Sequence, residues 1–300
     1  MNKDAFGSFH PLVNMVYFAA VIGFSMFFMH PINLGISVVC AFTYAIYLSG
    51  KKALRVGLVF MLPMLVLTAV LNPLFNHQGA TILAYLPNGN PLTLESATYG
   101  IAAAVMLITV IAWFACFNVV MTSDKFVYLL GRIIPALSLI LSMALRFVPR
   151  FRRQIKIVAN AQKCIGRDGG TGSIFKRARN GIKIMSIVVT WALENAIETA
   201  DSMKARGYGL PKRTAFSIHR FDIRDGVALA FIAICVAAII AGAVLEVYRF
   251  RYFPTIAHME RGWWRGWTAA LFAAHLALCA MPIIINIRED ILWKRIKSKI

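Results

Sequence analysis

AFGSFHPLVNMVYFAAVIGFSMFFMHPINLGISVVCAFTYAIYLSG, residues 5–50, holds no Asp, Glu, Lys or Arg; Asp4 and Lys51 bound it. About 20 apolar residues cross the hydrocarbon core of a bilayer, so this run is too long for one helix and suits two. His30-Pro31 in its middle is the natural turn, giving spans near 12–29 and 32–49. The same reasoning from charge-free lengths places a third span from Val56 to Asn72-Pro73 and a fourth between Glu95 and Asp124. A fifth lies between Asp225 and Glu246 and a sixth between Arg265 and Arg288. The first apolar region runs straight into the second, which reads as spans rather than a cleavable leader. The fold class is therefore an all-α polytopic integral membrane protein of about six transmembrane helices.

Composition agrees. Of 300 residues, 59% are hydrophobic and 15% charged, against about a quarter charged in soluble domains. The net charge is +19, and residues 125–224 hold 19 of the 32 Lys and Arg but five of the 13 Asp and Glu. Basic segments beside spans mark the cytoplasmic side. Lys51, Lys52, Arg55 and the tail Lys294-Arg295-Ile296-Lys297-Ser298-Lys299 fall on that side, while the loop between the third and fourth spans has neither Lys nor Arg. Both termini are thus expected in the cytoplasm, in a cell membrane. The 249–265 segment carries Arg249, Arg251, Arg261 and Arg265 beside Trp263, Trp264 and Trp267, and reads as an interfacial anchor. No nucleic-acid recognition module accompanies the basic block and the aromatics lie in apolar runs, which argues against a nucleic-acid partner.

Three regions follow: 1–124 with four spans, the basic block 125–224, and 225–300 with two spans and a basic tail. The block has helical character, with a dense apolar face from Leu129 to Leu141. Pro135 and Pro149 are expected to kink or end helical segments. Gly166-Arg167-Asp168-Gly169-Gly170-Thr171-Gly172 reads as a turn, since it lacks the Gly-Lys-Ser/Thr ending of a phosphate loop. A long helix from about Ile174 to Lys204 ends at Gly207, which suits a C-cap. On it Ala192, Ala196 and Ala200 form a small-residue stripe expected at a helix crossing. Glu194, Glu198 and Asp201 form an acidic stripe, expected to be solvated or paired. Such helices are amphipathic enough to lie at a membrane surface.

Catalytic chemistry is missing. The five cysteines are scattered, without a CxxC pair or Cys/His cluster. The spans carry no charge, and His275 is the one titratable group deep within them, whereas coupled pumps place ionisable relays in their spans. Energy for any transport has to come from elsewhere. A membrane enzyme acting on a lipid-like substrate is the alternative, but Glu194, Glu198 and Asp201 lack an Asp-rich metal motif. A self-sufficient facilitator is disfavoured by the absence of polar residues along the spans.

The remaining motifs carry a resemblance. His30-Pro31, Asn72-Pro73-Leu74-Phe75, Ala144-Leu145-Arg146-Phe147-Val148-Pro149, Ala161-Gln162 and, most specifically, Ala205-Arg206-Gly207-Tyr208-Gly209 followed by Arg213-Thr214 are spread over nearly the whole chain. It resembles the transmembrane T component of energy-coupling factor (ECF) transporters, which include the membrane subunits of cobalt and nickel importers. The resemblance implies a scaffold with long cytoplasmic coupling helices, each ending in Ala-Arg-Gly. It implies two ABC-type ATPases as partners, docked on those motifs, and a substrate-binding S component that reorients in the membrane to import a vitamin or transition metal. It implies no cofactor on this chain, with ATP and magnesium on the ATPases. By this carry-over Arg206 is the docking residue and Ala205 and Gly207 keep its surroundings slim. The first motif departs from the pattern: it reads Cys164-Ile165-Gly166, with Ile165 where arginine is expected and Arg167 two residues on. Either Arg167 substitutes, or the site docks by shape. The sixth span and basic tail are a second departure.

Overall fold

The computed structural model describes residues 4–85, 87, 89–166, 170, 173–208, 219–248, 250–254, 256 and 266–297. Its main elements are helices α1 (Pro11–Phe27), α2 (Pro31–Ser49) and α3 (Lys51–Val56), a π-helical turn Gly57–Met61, then α4 (Leu62–Phe75), strands β1 (Ile82–Tyr85) and β2 (Pro91–Thr93), and α5 (Leu94–Val120). These are followed by α6 (Ser123–Ile133), α7 (Pro135–Cys164), α8 (Ile174–Ala205), α9 (Ile223–Val244) and α10 (Gly266–Lys297). The chain divides into two compact units, one of Met1–Thr122 with His219–Ile300 and one of Ser123–Ile218.

The first unit carries the membrane character. Pro31–Ser49, Leu94–Val120, Ile223–Val244 and Thr268–Lys297 are long and apolar enough to cross a bilayer, and Pro11–Phe27 and Val59–Phe75 are shorter apolar helices. All six lie where the charge-free stretches place spans, and four of them have the length to cross. Helices α1 and α2 begin with the same device. Pro11 and Pro31 hold the first helical position, where their missing N–H costs nothing, and the preceding histidine accepts the next amide. His10 Nδ1 takes the Leu12 N–H at 3.2 Å and His30 Nδ1 that of Ile32 at 3.3 Å.

Aromatic rings fill the centre of this unit. Trp113 of α5 is fully buried and lies edge-on to Tyr17 and Phe18 of α1. Its indole N–H donates to Ser37 Oγ of α2 at 3.0 Å, and Ser37 in turn shares a 2.7 Å hydrogen bond with Ser25 of α1. Three helices are thus tied through polar groups that would otherwise lie unsatisfied in hydrocarbon. Between α4 and α5 a short antiparallel hairpin, β1 with β2, replaces the polar loop expected from sequence. The Glu95 carboxylate closes it, accepting the Thr81 hydroxyl at 2.8 Å.

The sixth span, α10, packs against α2 and α9. Asn286 on it holds the N-terminal segment: its side-chain oxygen accepts the Ala5 N–H at 2.7 Å and its amide donates to Asp4 at 2.8 Å. Tyr47 of α2 donates to Asp290 at 2.8 Å. The added helix therefore has a structural account as the clasp of the N-terminus. The basic tail continues it as helix to Lys297. The anchor residues Arg249, Arg261, Trp263, Trp264 and Arg265 lie outside the described residues.

His30, in the α1–α2 connection, yields a pH prediction. It is 1% exposed and its ring contacts Phe250 and Phe272. Burial lowers its pKa from 6.5 to about 4. As pH falls the unfolded chain takes up this proton first, so stability is complete above about 6.5 and is lost between there and 4. The thermal midpoint in detergent is expected to fall over that window, and His30→Asn, which retains a cap acceptor, to flatten part of the fall. An unchanged profile in the variant would refute the assignment.

Candidate ATPase-docking site

The second unit is built around α7 and α8. The inner face of α7 carries Phe147, Phe151 and Val158, and that of α8 carries Asn180, Ile184, Val188 and Trp191. Phe151 meets Trp191 edge-on at 5.8 Å, and Arg150 lies 5.3 Å over the same indole while donating to Asn195 at 3.1 Å. Pro135 occupies the first position of α7 as a helix start should, but Pro149 sits inside the helix without ending it. Phe147 and Phe151, in ring contact on either side of it, keep the segment packed.

The Ala192, Ala196 and Ala200 stripe does not line this crossing. Ala192 is half-buried at its edge, and Ala196 and Ala200 are exposed. At about 100° per residue the latter two fall on the side of α8 turned away from Ile184 and Val188. There they share an exposed apolar stripe with Ile182 (70% exposed), Val189 (50%) and Leu193 (63%). The crossing uses large residues because Phe151 and Trp191 set the spacing. Glu194, Glu198 and Asp201 are exposed, without ion pairs among the described residues, and are therefore solvated.

Both long helices end in the same way. Ile165 caps α7 at φ −95°, ψ 19°, and Arg206 caps α8 at φ −86°, ψ 11°. The next residue in each case is glycine in the left-handed region, Gly166 at φ 74° and Gly207 at φ 79°. The Gly166 N–H reaches Lys163 O at 3.0 Å, and the Gly207 N–H reaches Lys204 O at 2.9 Å. At α8 the Tyr208 N–H also returns to Met203 O at 3.0 Å, completing a Schellman turn. Ile165 therefore occupies the position on α7 that Arg206 occupies on α8. Arg167 lies outside the described residues, as do Gly209, Arg213 and Thr214.

This geometry frees the arginine. The last carbonyls of α8 are taken by the backbone amides of Arg206, Gly207 and Tyr208, so the guanidinium is not needed to cap the helix. The side chain is exposed and makes no hydrogen bond or ion pair among the described residues. Ala205 beside it is exposed and small. Such a tip presents a planar fork of donors suited to a carboxylate. The other tip presents Ile165, 64% exposed, an apolar knob on the same backbone. Among the described residues no group of three His, Cys, Asp or Glu could hold a metal ion.

A family model described as cobalt transport protein matches residues 8–218, which takes in both caps. The chain belongs to the cobalt transport protein family. The energy-coupling factor transporter transmembrane protein EcfT of Lacticaseibacillus paracasei is 39% identical over 93 residues, covering 31% of this chain and 35% of that protein. The protein of the same name from Bacillus selenitireducens is 34% identical over 106 residues, 35% of this chain and 40% of its own. That of Streptococcus equi is 26% identical over 185 residues, 57% of this chain and 67% of its own. The matched stretch thus spans well under half the length of the first two relatives. Membership of a transport protein family, with four helices long and apolar enough to cross a membrane, speaks against the lipid-enzyme alternative.

The cap glycines of this family member make a local prediction. Gly207→Ala places a side chain in the left-handed region at a cost of about 1–2 kcal/mol. Gly181→Ala, mid-helix on α8 with open space at its Cβ, gains about 1 kcal/mol. Thermal unfolding of the two variants is expected to shift in opposite directions; a shift of like sign would refute the cap assignment.

Proposed function

We propose that the chain is the membrane scaffold of an energy-coupling factor importer, joining two ABC-type ATPases to a substrate-binding S component. The observation that carries this reading is the matched pair of helix C-caps, with the Arg206 side chain exposed at the tip of α8 and no partner for it among the described residues. In this reading Arg206 enters an acidic groove on one ATPase, Ala205 and Gly207 leave room for it, and ATP and magnesium are held by the ATPases. Ile165 and Gly166 seat on the second ATPase through shape and apolar contact, with Arg167 available as an adjoining cation.

The exposed stripe of Ile182, Val189, Leu193, Ala196 and Ala200 supports a second contact on α8, here assigned to the S component. Large apolar residues flanking small ones let a partner helix approach closely. Closing and opening of the ATPases would shift the tips of α7 and α8, and α8 would pass that displacement to the S component as it reorients. The concentration of Lys and Arg in residues 125–224 supports placing this region, with both termini, on the cytoplasmic side. The imported compound, a vitamin or a transition-metal ion, would be bound by the S component. The test is capture: the tagged chain is co-expressed with candidate ECF ATPases from the same cell and purified in detergent. Co-elution of two ATPase copies per chain is the expected result, and failure to retain any ATPase would overturn the reading.

A further inference from the structure

Helices α9 and α10 lie beyond the matched residues 8–218, and with the N-terminal segment they form an open groove of about 610 Å³. That volume is in the range of small-molecule sites. Its walls are apolar, with Phe9, Val227, Phe231 and Ile285 among them. Three charged residues also line it: Arg224, Arg288 and Glu289. Arg224 is the second residue of α9, and Arg288 lies nine residues before the end of α10. Each arginine stands at the limit of an apolar span, where a helix leaves hydrocarbon for the interface. Arg224 is held over the Phe9 ring at 5.2 Å. The neighbouring Asp225 oxygens accept the His10 and Asp222 amides, each at 2.9 Å, and Arg224 makes no ion pair among the described residues. Arg288 makes no ion pair among the described residues.

We infer that this groove binds an anionic glycerophospholipid, with its phosphate between Arg224 and Arg288 and an acyl chain along Val227, Phe231 and Ile285. Charge complementarity selects this occupant. A groove with apolar walls at span depth suits a hydrocarbon chain, and basic residues at the mouth of such a groove suit an anionic headgroup. Arginine pairs with phosphate in bidentate fashion. Glu289 opposes the phosphate and limits affinity. A lipid held here would bridge α9, α10 and the N-terminal segment.

Native mass spectrometry of the detergent-purified full chain tests this directly. Phosphatidylglycerol and phosphatidylcholine of identical acyl chains are titrated separately, and inorganic phosphate is added as competitor. Wild type is expected to retain one phosphatidylglycerol roughly tenfold better than phosphatidylcholine, and Arg224→Gln/Arg288→Gln to lose that preference. Val227→Trp, which fills the exposed wall, is expected to lose both lipids. Glu289→Gln is expected to retain phosphatidylglycerol more tightly, a gain that no misfolded variant would give. Equal retention of the two lipids by wild type, an unchanged preference in the double arginine variant, or no gain in Glu289→Gln would each overturn the site. Full displacement by millimolar phosphate would overturn the lipid assignment in favour of the free anion.

Discussion

Arg206→Glu is expected to abolish co-purification of one ATPase with this chain and to stop transport, while leaving the chain folded and inserted. The backbone supports the second half of that statement. The helix end is closed by three main-chain amides rather than by the side chain, so exchanging the side chain leaves the cap intact. The first half follows from charge. Truncating one partner of a desolvated ion pair typically costs about 2–5 kcal/mol, and reversing it adds like-charge repulsion, so apparent affinity should fall roughly 100-fold or more. Arg206→Lys is expected to recover part of the binding, as a point charge without the planar fork. Ile165→Glu serves as the comparison on the other tip. Size-exclusion chromatography of the co-expressed complex reads all three. Wild-type levels of ATPase on Arg206→Glu would move the docking energy away from this residue.

The second large effect lies in the membrane unit, at Gly100 of α5. A Cβ built there would meet the Ala69 carbonyl oxygen at 2.8 Å, Asn72 Cβ at 3.0 Å and Pro73 Cδ at 3.3 Å. The first contact is backbone, so no rotamer change relieves it, and α4 would have to move off α5. Overpacked sites commonly lose about 1–3 kcal/mol. Gly100→Ala is expected to cost about that much, and Gly100→Leu to cost more and to prevent α4 from docking at all. Gly35 of α2 is the control: nothing lies within 4 Å of the point where its Cβ would stand, and Gly35→Ala should be tolerated. Thermal unfolding in detergent, with protease accessibility of the 76–93 loop, checks the pair. Equal tolerance of alanine at both positions would mean that α4 and α5 pack less closely than the Gly100 geometry requires.

The spans and the cap at Gly207 are legible in the sequence because each rests on a local prohibition. Charge does not enter hydrocarbon, so gaps between Asp4, Lys51, Glu95, Asp124, Asp225 and Arg288 bound helices without knowledge of their partners. A left-handed residue after a long helix asks for glycine, and Gly166 and Gly207 answer it. What stays hidden depends on partners distant in sequence. The side of α8 that packs on α7 is chosen by Phe151 and Trp191, and a stripe of alanines cannot reveal that bulky rings have already taken the crossing. Pro149 reads as a kink or a stop from its missing amide alone, and of the two the stop does not occur, since α7 runs on to Cys164. The β1–β2 hairpin is held by Glu95 reaching back to Thr81, a contact across a loop with no periodic pattern. The equivalence of Ile165 and Arg206 lies between: the glycines mark both caps, but the near-identical cap torsions are visible only in three dimensions.

Those two tips share a backbone and differ in how water and salt treat them. Counterions crowd around a guanidinium and weaken its hold on an anionic surface as ionic strength rises. An isoleucine knob has no such atmosphere, and excluded salts strengthen its burial instead. Under the docking proposed above, rising salt would loosen the contact at Arg206 and leave the one at Ile165 seated, so the two ends would answer the same change in opposite directions.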